Sequence, residues 1–228
     1  MTVISTTIII LTIIIVIICN GYVRYKDRAL LRTVTNNRRG TPSERRLILH
    51  LLKHNIPAVT IFHDLYVEHQ KVRYSQIDAV FVTRVGIIVF EVKEYSGWIF
   101  GKGYQNYWTQ VLAYGKKKNR FYNPVRQNEG HIDALRKRLK GIADVPFYSV
   151  IVFYGKCRLR NVSGIPYDTY VGYPRDVMAI IARIHENNPP VSYADKWGVV
   201  NALKDAVSNG ENKTIVKQHI QNIRNYIR

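Results

Sequence analysis

The chain is poor in cysteine, in acid and in glycine–proline punctuation. Two cysteines in 228 residues, Cys19 and Cys157, exclude a disulfide-stapled scaffold and any zinc site built from several thiolates, and fit a reducing compartment. Gly 14 and Pro 8 are too few for a collagenous or low-complexity chain. Asp+Glu number 16 against 34 Lys+Arg, a formal net charge of +18. A surface of that sign attracts phosphate polyanions or anionic lipid head groups. With 46% hydrophobic residues the chain is not disordered. Its length suits one globular domain with an appendage.

Long apolar runs are scarce too, with one exception. Val3 to Cys19 carries no charge and is dominated by isoleucine. Extended to Val23, it predicts a transmembrane helix over 3–23, about 20 residues and roughly 30 Å, the thickness of a bilayer core. A cleaved signal peptide is disfavoured because no basic segment precedes the run and no small-x-small site follows it. Ile18 before Cys19 does not suit a lipoprotein acceptor. Arg24, Lys26, Arg28 and Arg32 follow the run, so the positive-inside rule places the C-terminal bulk in the cytoplasm of a single-pass cell-membrane protein.

Residues 24–40 form a basic linker, 41–154 a core domain, and 155–228 a helical C-terminal extension packing on that core. Thr41, Pro42 and Glu44 open a helix as N-cap, first-turn proline and capping-box acid. Strand-like runs follow at Ala58–Val67, Tyr74–Thr83 and Gly86–Val92. Ser96–Trp108 suggests a further hairpin or an irregular loop. A second capped helix starts at Asn123-Pro124 and runs to about Lys140, then Pro146–Tyr154 is a buried strand. Helices are predicted near 174–187, 195–208 and 212–227. The order helix, three strands, helix, strand specifies a mixed α/β sheet, because the fourth strand arrives through a crossover helix and can lie parallel to a neighbour.

The chemistry converges on one hairpin. If Arg84 and Val85 form a two-residue turn, Thr83 pairs with Gly86 and opposed residue numbers add to 169. Asp78 then faces Glu91, Gln76 faces Lys93, and alternation puts Asp78, Glu91 and Lys93 on one side of the sheet. Two carboxylates directly across a strand pair, about 5 Å apart at Cβ, repel each other. Among apolar neighbours they raise a pKa or recruit a cation. Lys93 supplies one positive charge, and oxygen donors of this kind suit Mg²⁺ or Mn²⁺.

Several spaced motifs then resemble the nuclease-related domain (NERD) family, whose core is similar to the PD-(D/E)xK phosphodiesterase superfamily. They are Gly40 with Ser43-Glu44, Gln76-Ile77-Asp78, Gly86, Glu91-Val92-Lys93, Gly97, Trp108, Asn123-Pro124, Gln127-Asn128 and His131. The resemblance implies a restriction-endonuclease-like α-β-β-β-α-β core. It also implies Asp78 and Glu91 as metal ligands, Lys93 as the group that positions or activates water, Glu44 as an auxiliary acid and Gln127 as a polar residue facing the site. Ile77 stands at the position of a superfamily proline that is often absent.

The expected function is a membrane-anchored, metal-dependent nuclease cleaving DNA, with Lys116, Lys117, Lys118, Arg120 and Arg126 gripping phosphates and Tyr104, Tyr107 and Trp108 stacking on bases. The alternatives are a non-catalytic nucleic-acid binder and a membrane-associated interaction protein on the same fold. Simpler roles are open for the same side chains. Glu44 is explained as a cap, Gln127 as a solvated helix residue, Tyr107 and Trp108 as core, the lysine run as a solvated turn and His131 as a local hydrogen-bonder. His50 and His54, one helical turn apart, lack a third ligand for zinc.

Overall fold

The computed structural model describes residues 2–69 and 73–227, with side chains except those of 2–9, 69, 73, 114 and 222–227. It contains α1 (Thr2–Leu31), α2 (Pro42–Lys53), β1 (Ile61–His69), β2 (Arg73–Thr83), β3 (Gly86–Glu94), β4 (Gly97–Lys102), β5 (Tyr107–Leu112), β6 (Lys117–Tyr122), α3 (Pro124–Arg138), β7 (Phe147–Tyr154), β8 (Cys157–Ser163), β9 (Thr169–Gly172), α4 (Val177–Asn187), α5 (Lys196–Asn209) and α6 (Lys213–Ile227).

The strands make two mixed sheets, ordered β1-β2-β3-β7-β9 and β6-β5-β4-β8. β1, β2 and β3 run antiparallel, and β7 lies parallel to β3 after the α3 crossover. The fold is thus mixed α/β, in the expected element order, with β4, β5 and β6 inserted between β3 and α3.

Both faces of the first sheet are covered, which explains its continuous apolar runs. On one face Phe81, Ile88, Phe90 and Val150 meet Leu47, Ile48 and Leu51 of α2 and Ile181 of α4. On the other, Val80, Ile87 and Val89 meet Ile132 and Leu135 of α3 and Leu203 of α5. The second sheet buries only its inner face, where Trp108 lies fully buried and stacked on Phe153 at 6.0 Å.

Three expectations are corrected. The helix carries on from the apolar run to Leu31, so residues 24–31 of the expected linker are helical, and Leu30, Leu31 and Val34 pack on the core. Residues 155–228 are not helical throughout: β8 joins β4 and β9 joins β7, because both parallel edges still had unpaired backbone to satisfy. The lysine run enters an edge strand, pairing Lys118 with Val111 and Lys117 with Leu112. The expected crossing over 3–23 begins in residues 3–9, whose side chains lie outside the described residues. Among the described residues no helix is long and apolar enough to cross a membrane.

Candidate active site

The hairpin forms as expected through its turn. Arg84 and Val85 make the turn, and Thr83↔Gly86, Phe81↔Ile88, Val80↔Val89 and Ala79↔Phe90 follow in register. Gly86 has φ +138, and a Cβ there would collide with the Pro146 carbonyl, so glycine is required where β3 meets the start of β7. The ladder stops one residue before Asp78. Opposite it in β1, Asp64 adopts φ 57, and the β1–β2 pairing passes from His63↔Ala79 to Leu65↔Ile77 across the gap. In place of a ladder bond the Val92 N–H donates to Asp78 Oδ2 at 2.7 Å. Gln76 does not face Lys93: its Nε2 donates to Asp64 Oδ1 at 2.8 Å, drawn away by the kink.

Beyond the ladder, the expected groups do assemble. Lys93 Nζ lies 2.6 Å from Glu91 Oε1 and donates to Gln127 Oε1 at 2.9 Å. Gln127 is therefore not merely solvated. Asn128 beside it anchors α3 to the sheet, donating to Val89 O at 2.9 Å and Ser149 Oγ at 2.8 Å. Glu91 Oε2 meets His131 Nε2 at 3.1 Å, and His131 Nδ1 meets Ser75 Oγ at 2.7 Å. Burial would raise the Glu91 carboxyl, but the Lys93 ammonium and the His131 hydrogen bond outweigh it and hold it below the usual glutamate value. Burial acts to lower Lys93, yet Glu91 lifts it above the ordinary lysine value. An ionised Glu91 only accepts, so His131 Nε2 carries the proton and, in the neutral ring, Nδ1 accepts from the Ser75 hydroxyl.

Asp78 is placed differently. Its burial, then the Glu91 and Glu44 charges, push its carboxyl well above the usual aspartate range, against the Val92 N–H and Lys93. Thr41 caps α2 as expected, accepting from the Glu44 N–H at 3.3 Å, but the Glu44 side chain takes the Thr41 hydroxyl at 2.7 Å rather than the Thr41 backbone N–H of a capping box. Glu44 does more than support the cap. Its Oε2 lies 3.4 Å from His63 Nε2, an ion-pair distance, and among the described residues neither buried atom has a hydrogen-bond partner. Burial raises the Glu44 carboxyl, but His63 and Thr41 hold it below the glutamate value. His63 is in turn held by Thr35 Oγ1 at 2.7 Å. Gly40, at φ +58, leaves room for this pair, since a Cβ there would overlap both side chains.

Asp78 and Glu91 offer hard oxygen donors, and Asp78 is a carboxyl whose ionised form a divalent cation would favour. Among the described residues no group of three or more His, Cys, Asp or Glu is arranged to hold a metal. Two carboxylates with the remaining positions filled by water and phosphate oxygen is a donor set that Mg²⁺ accepts. The His50 and His54 rings meet tilted at 51° with centroids 4.4 Å apart, and His54 Nδ1 meets the His50 carbonyl, which makes them a helix-end contact.

Among the described residues none of the expected phosphate-binding cations bonds to this cluster. Lys116, Lys117, Lys118 and Arg120 are exposed on and before β6. Arg126, exposed on the first turn of α3, binds Asn106 and the Tyr104 carbonyl. Trp108 is core and unavailable to a base, whereas Tyr104 and Tyr107 are exposed. Sequence reasoning missed Ser75, His63, Thr35 and the Arg39–Asp64 pair, whose 3.1 Å bond fixes the β1 kink. Buried polar partners on distant elements leave no local pattern.

A protein of Bacillus anthracis, itself named only as uncharacterized, is 29% identical over 181 residues, covering 75% of this chain and 73% of its own. No solved structure matches the chain. The model of the nuclease-related domain matches residues 39–154, a stretch that begins at the Arg39 anchor of the kink and ends with β7. The match encloses the hairpin, the capped α2 and the α3 residues that close on Glu91, and on it the chain belongs to the nuclease-related domain family.

Proposed function

We propose that this protein is a membrane-anchored, metal-dependent nuclease of the restriction-endonuclease-like kind, hydrolysing phosphodiester bonds in DNA. The observation that carries the reading is the convergence of Asp78, Glu91, Lys93 and Gln127 at the open end of one hairpin, with Lys93 Nζ 2.6 Å from Glu91. Asp78 and Glu91 would hold Mg²⁺ or Mn²⁺, which when bound polarises a phosphoryl oxygen and lowers the pKa of a water. Lys93 places an ammonium where negative charge develops. Gln127 fixes the direction of Lys93, and His131 fixes Glu91 from behind. Glu44 adds a further carboxylate on the α2 side. Lys116, Lys117, Lys118, Arg120 and Arg126 would hold the phosphate backbone. The apolar run over 3–23 would anchor the chain in the cell membrane, with the domain on the cytoplasmic side.

The test is cleavage of supercoiled plasmid by the full chain in detergent, with and without Mg²⁺ or Mn²⁺. Asp78→Asn and Lys93→Ala are each expected to lower the rate on the order of 10²-fold or more. Wild-type cleavage by Asp78→Asn overturns the assignment. One observation favours the second reading, a non-catalytic nucleic-acid binder: both Glu91 oxygens already have partners within the protein. Divalent-independent DNA binding without cleavage selects that reading.

A further inference from the structure

The second sheet has an outer face that the proposed chemistry does not use. Its four strands contain no aspartate or glutamate, and neither does any position from 95 to 128. Alternation sends Ile99, Trp108 and Phe121 inward to the core. Trp98, Tyr107 and Tyr122 therefore point outward, and Tyr107 and Tyr122 are 49% and 47% exposed.

These rings are interleaved with cations. Arg120 stands over the Tyr107 ring at 4.9 Å, Arg160 over the Trp98 ring at 5.2 Å, and Tyr107 meets Tyr122 edge-on at 6.2 Å. Lys118 lies in the same row through Val111, the partner of Trp98. None of Lys118, Arg120 and Arg160 has an ion-pair partner among the described residues. Elsewhere on the chain Arg39, Arg46, Lys53 and Arg138 are each paired with acid. The sheet thus presents unneutralised positive charge together with half-exposed aromatic faces.

We propose that this outer face is a binding platform for single-stranded nucleic acid, engaging bases through Trp98, Tyr107 and Tyr122 and phosphates through Lys118, Arg120 and Arg160. The proposal rests on the reading that nucleic acid is the ligand, and deepens it by naming strandedness and surface. A duplex keeps its base faces stacked inside and offers this surface only phosphate. An unpaired strand offers π-faces as well, which rings and the guanidinium groups beside them can engage. An anionic membrane matches the charge and also accepts Trp and Tyr rings at its head-group level, so vesicles are the competitor in the test below.

The experiment measures binding of a fluorescein-labelled 20-mer of thymidylate, and of a duplex of equal length, to the full chain in detergent with EDTA to prevent cleavage. The single strand is expected to bind tighter. Tyr107→Ala and Trp98→Ala should each weaken it about tenfold while leaving the duplex within about twofold, and Tyr107→Phe should restore it, as a stacking role requires. Lys118→Ala with Arg120→Ala should weaken both ligands and flatten the salt dependence by about two in log–log slope. Unchanged single-strand binding in the alanine variants overturns the platform, as does failure of Tyr107→Phe to restore it. Displacement of the oligonucleotide by phosphatidylglycerol vesicles, but not by unlabelled thymidylate 20-mer, assigns the face to lipid and overturns it too. Ring-dependent binding by a chain that fails to cleave plasmid with Mg²⁺ or Mn²⁺ keeps the platform and sinks only the nuclease.

Discussion

Asp78 and Glu91 stand at the end of one hairpin, one on each strand, yet the fold handles the two carboxyls in opposite ways. Glu91 is enclosed by a complete set of partners, Lys93 on its own strand and His131 on α3. Asp78 receives one backbone N–H and faces the charges of Glu91 and Glu44. One acid is held ionised and the other is pushed toward its protonated form. Adjacent carboxyls separated in this way are the arrangement from which acid–base and metal chemistry is built. The lesson is that the residue with the fewer partners is the one that a cation would change most.

The largest test of that contrast is Glu91→Ala. It leaves the partly buried Lys93 ammonium without its carboxylate, and should cost about 3 kcal/mol of stability in urea denaturation. A cost below about 1 kcal/mol would mean that Lys93 is neutralised elsewhere.

Next is the response to divalent ions. If Asp78 and Glu91 bind Mg²⁺, the wild-type chain should gain up to about 2.7 kcal/mol at a hundred times Kd. Asp78→Asn should remove the gain, read as a thermal shift between EDTA and Mg²⁺. An equal gain in the variant would place the ion elsewhere.

The pH dependence should run in opposite directions for the two acids. An unfolded aspartate releases its proton near 3.8, whereas folded Asp78 keeps it to higher pH. Across that interval the folded state binds the extra proton, so Asp78 makes stability fall as pH rises. Glu91, lowered from 4.5, stabilises above that value, and its contribution is lost as pH falls through its lower folded value. Asp78→Asn in EDTA should therefore be about 1 kcal/mol more stable than wild type at pH 7, the gap narrowing toward pH 4. A gap that widens on acidification breaks the contrast.

The smallest expected effect belongs to Ser75→Ala. Removing the hydroxyl that holds His131 at 2.7 Å should cost about 1 kcal/mol, and should lower Mg²⁺ affinity through a loosened Glu91. Unaltered Mg²⁺ affinity by calorimetry would show that His131 keeps its position without the serine.

What could be read in advance followed the range of the interactions involved. The Arg84–Val85 turn and the register through Ala79↔Phe90 were legible because a short turn and strand alternation are local rules. The α2 cap was legible for the same reason. Gln76 was misplaced because the hairpin rule ignores β1, where Asp64 kinks the neighbouring strand. The 116–120 run was read for its charge, as a phosphate grip or a solvated turn, and not as a strand, since an edge strand satisfies only one side of its backbone and tolerates lysine on the other. His131 carried a family position, but Ser75 lies 56 residues away from it and no spacing rule joins them.

The sequence by itself determined the charge, the long apolar segment, the alternation of strands and capped helices, and the pairing that sends Asp78 and Glu91 to one end of a hairpin. Tertiary structure alone decided which carboxyl is satisfied. That choice depends on where α3 lays His131 and Gln127, and on the kink in β1 that ends the ladder beside Asp78. Protonation follows the surrounding charges and the loss of water, and those are set by segments that meet only when the chain is folded.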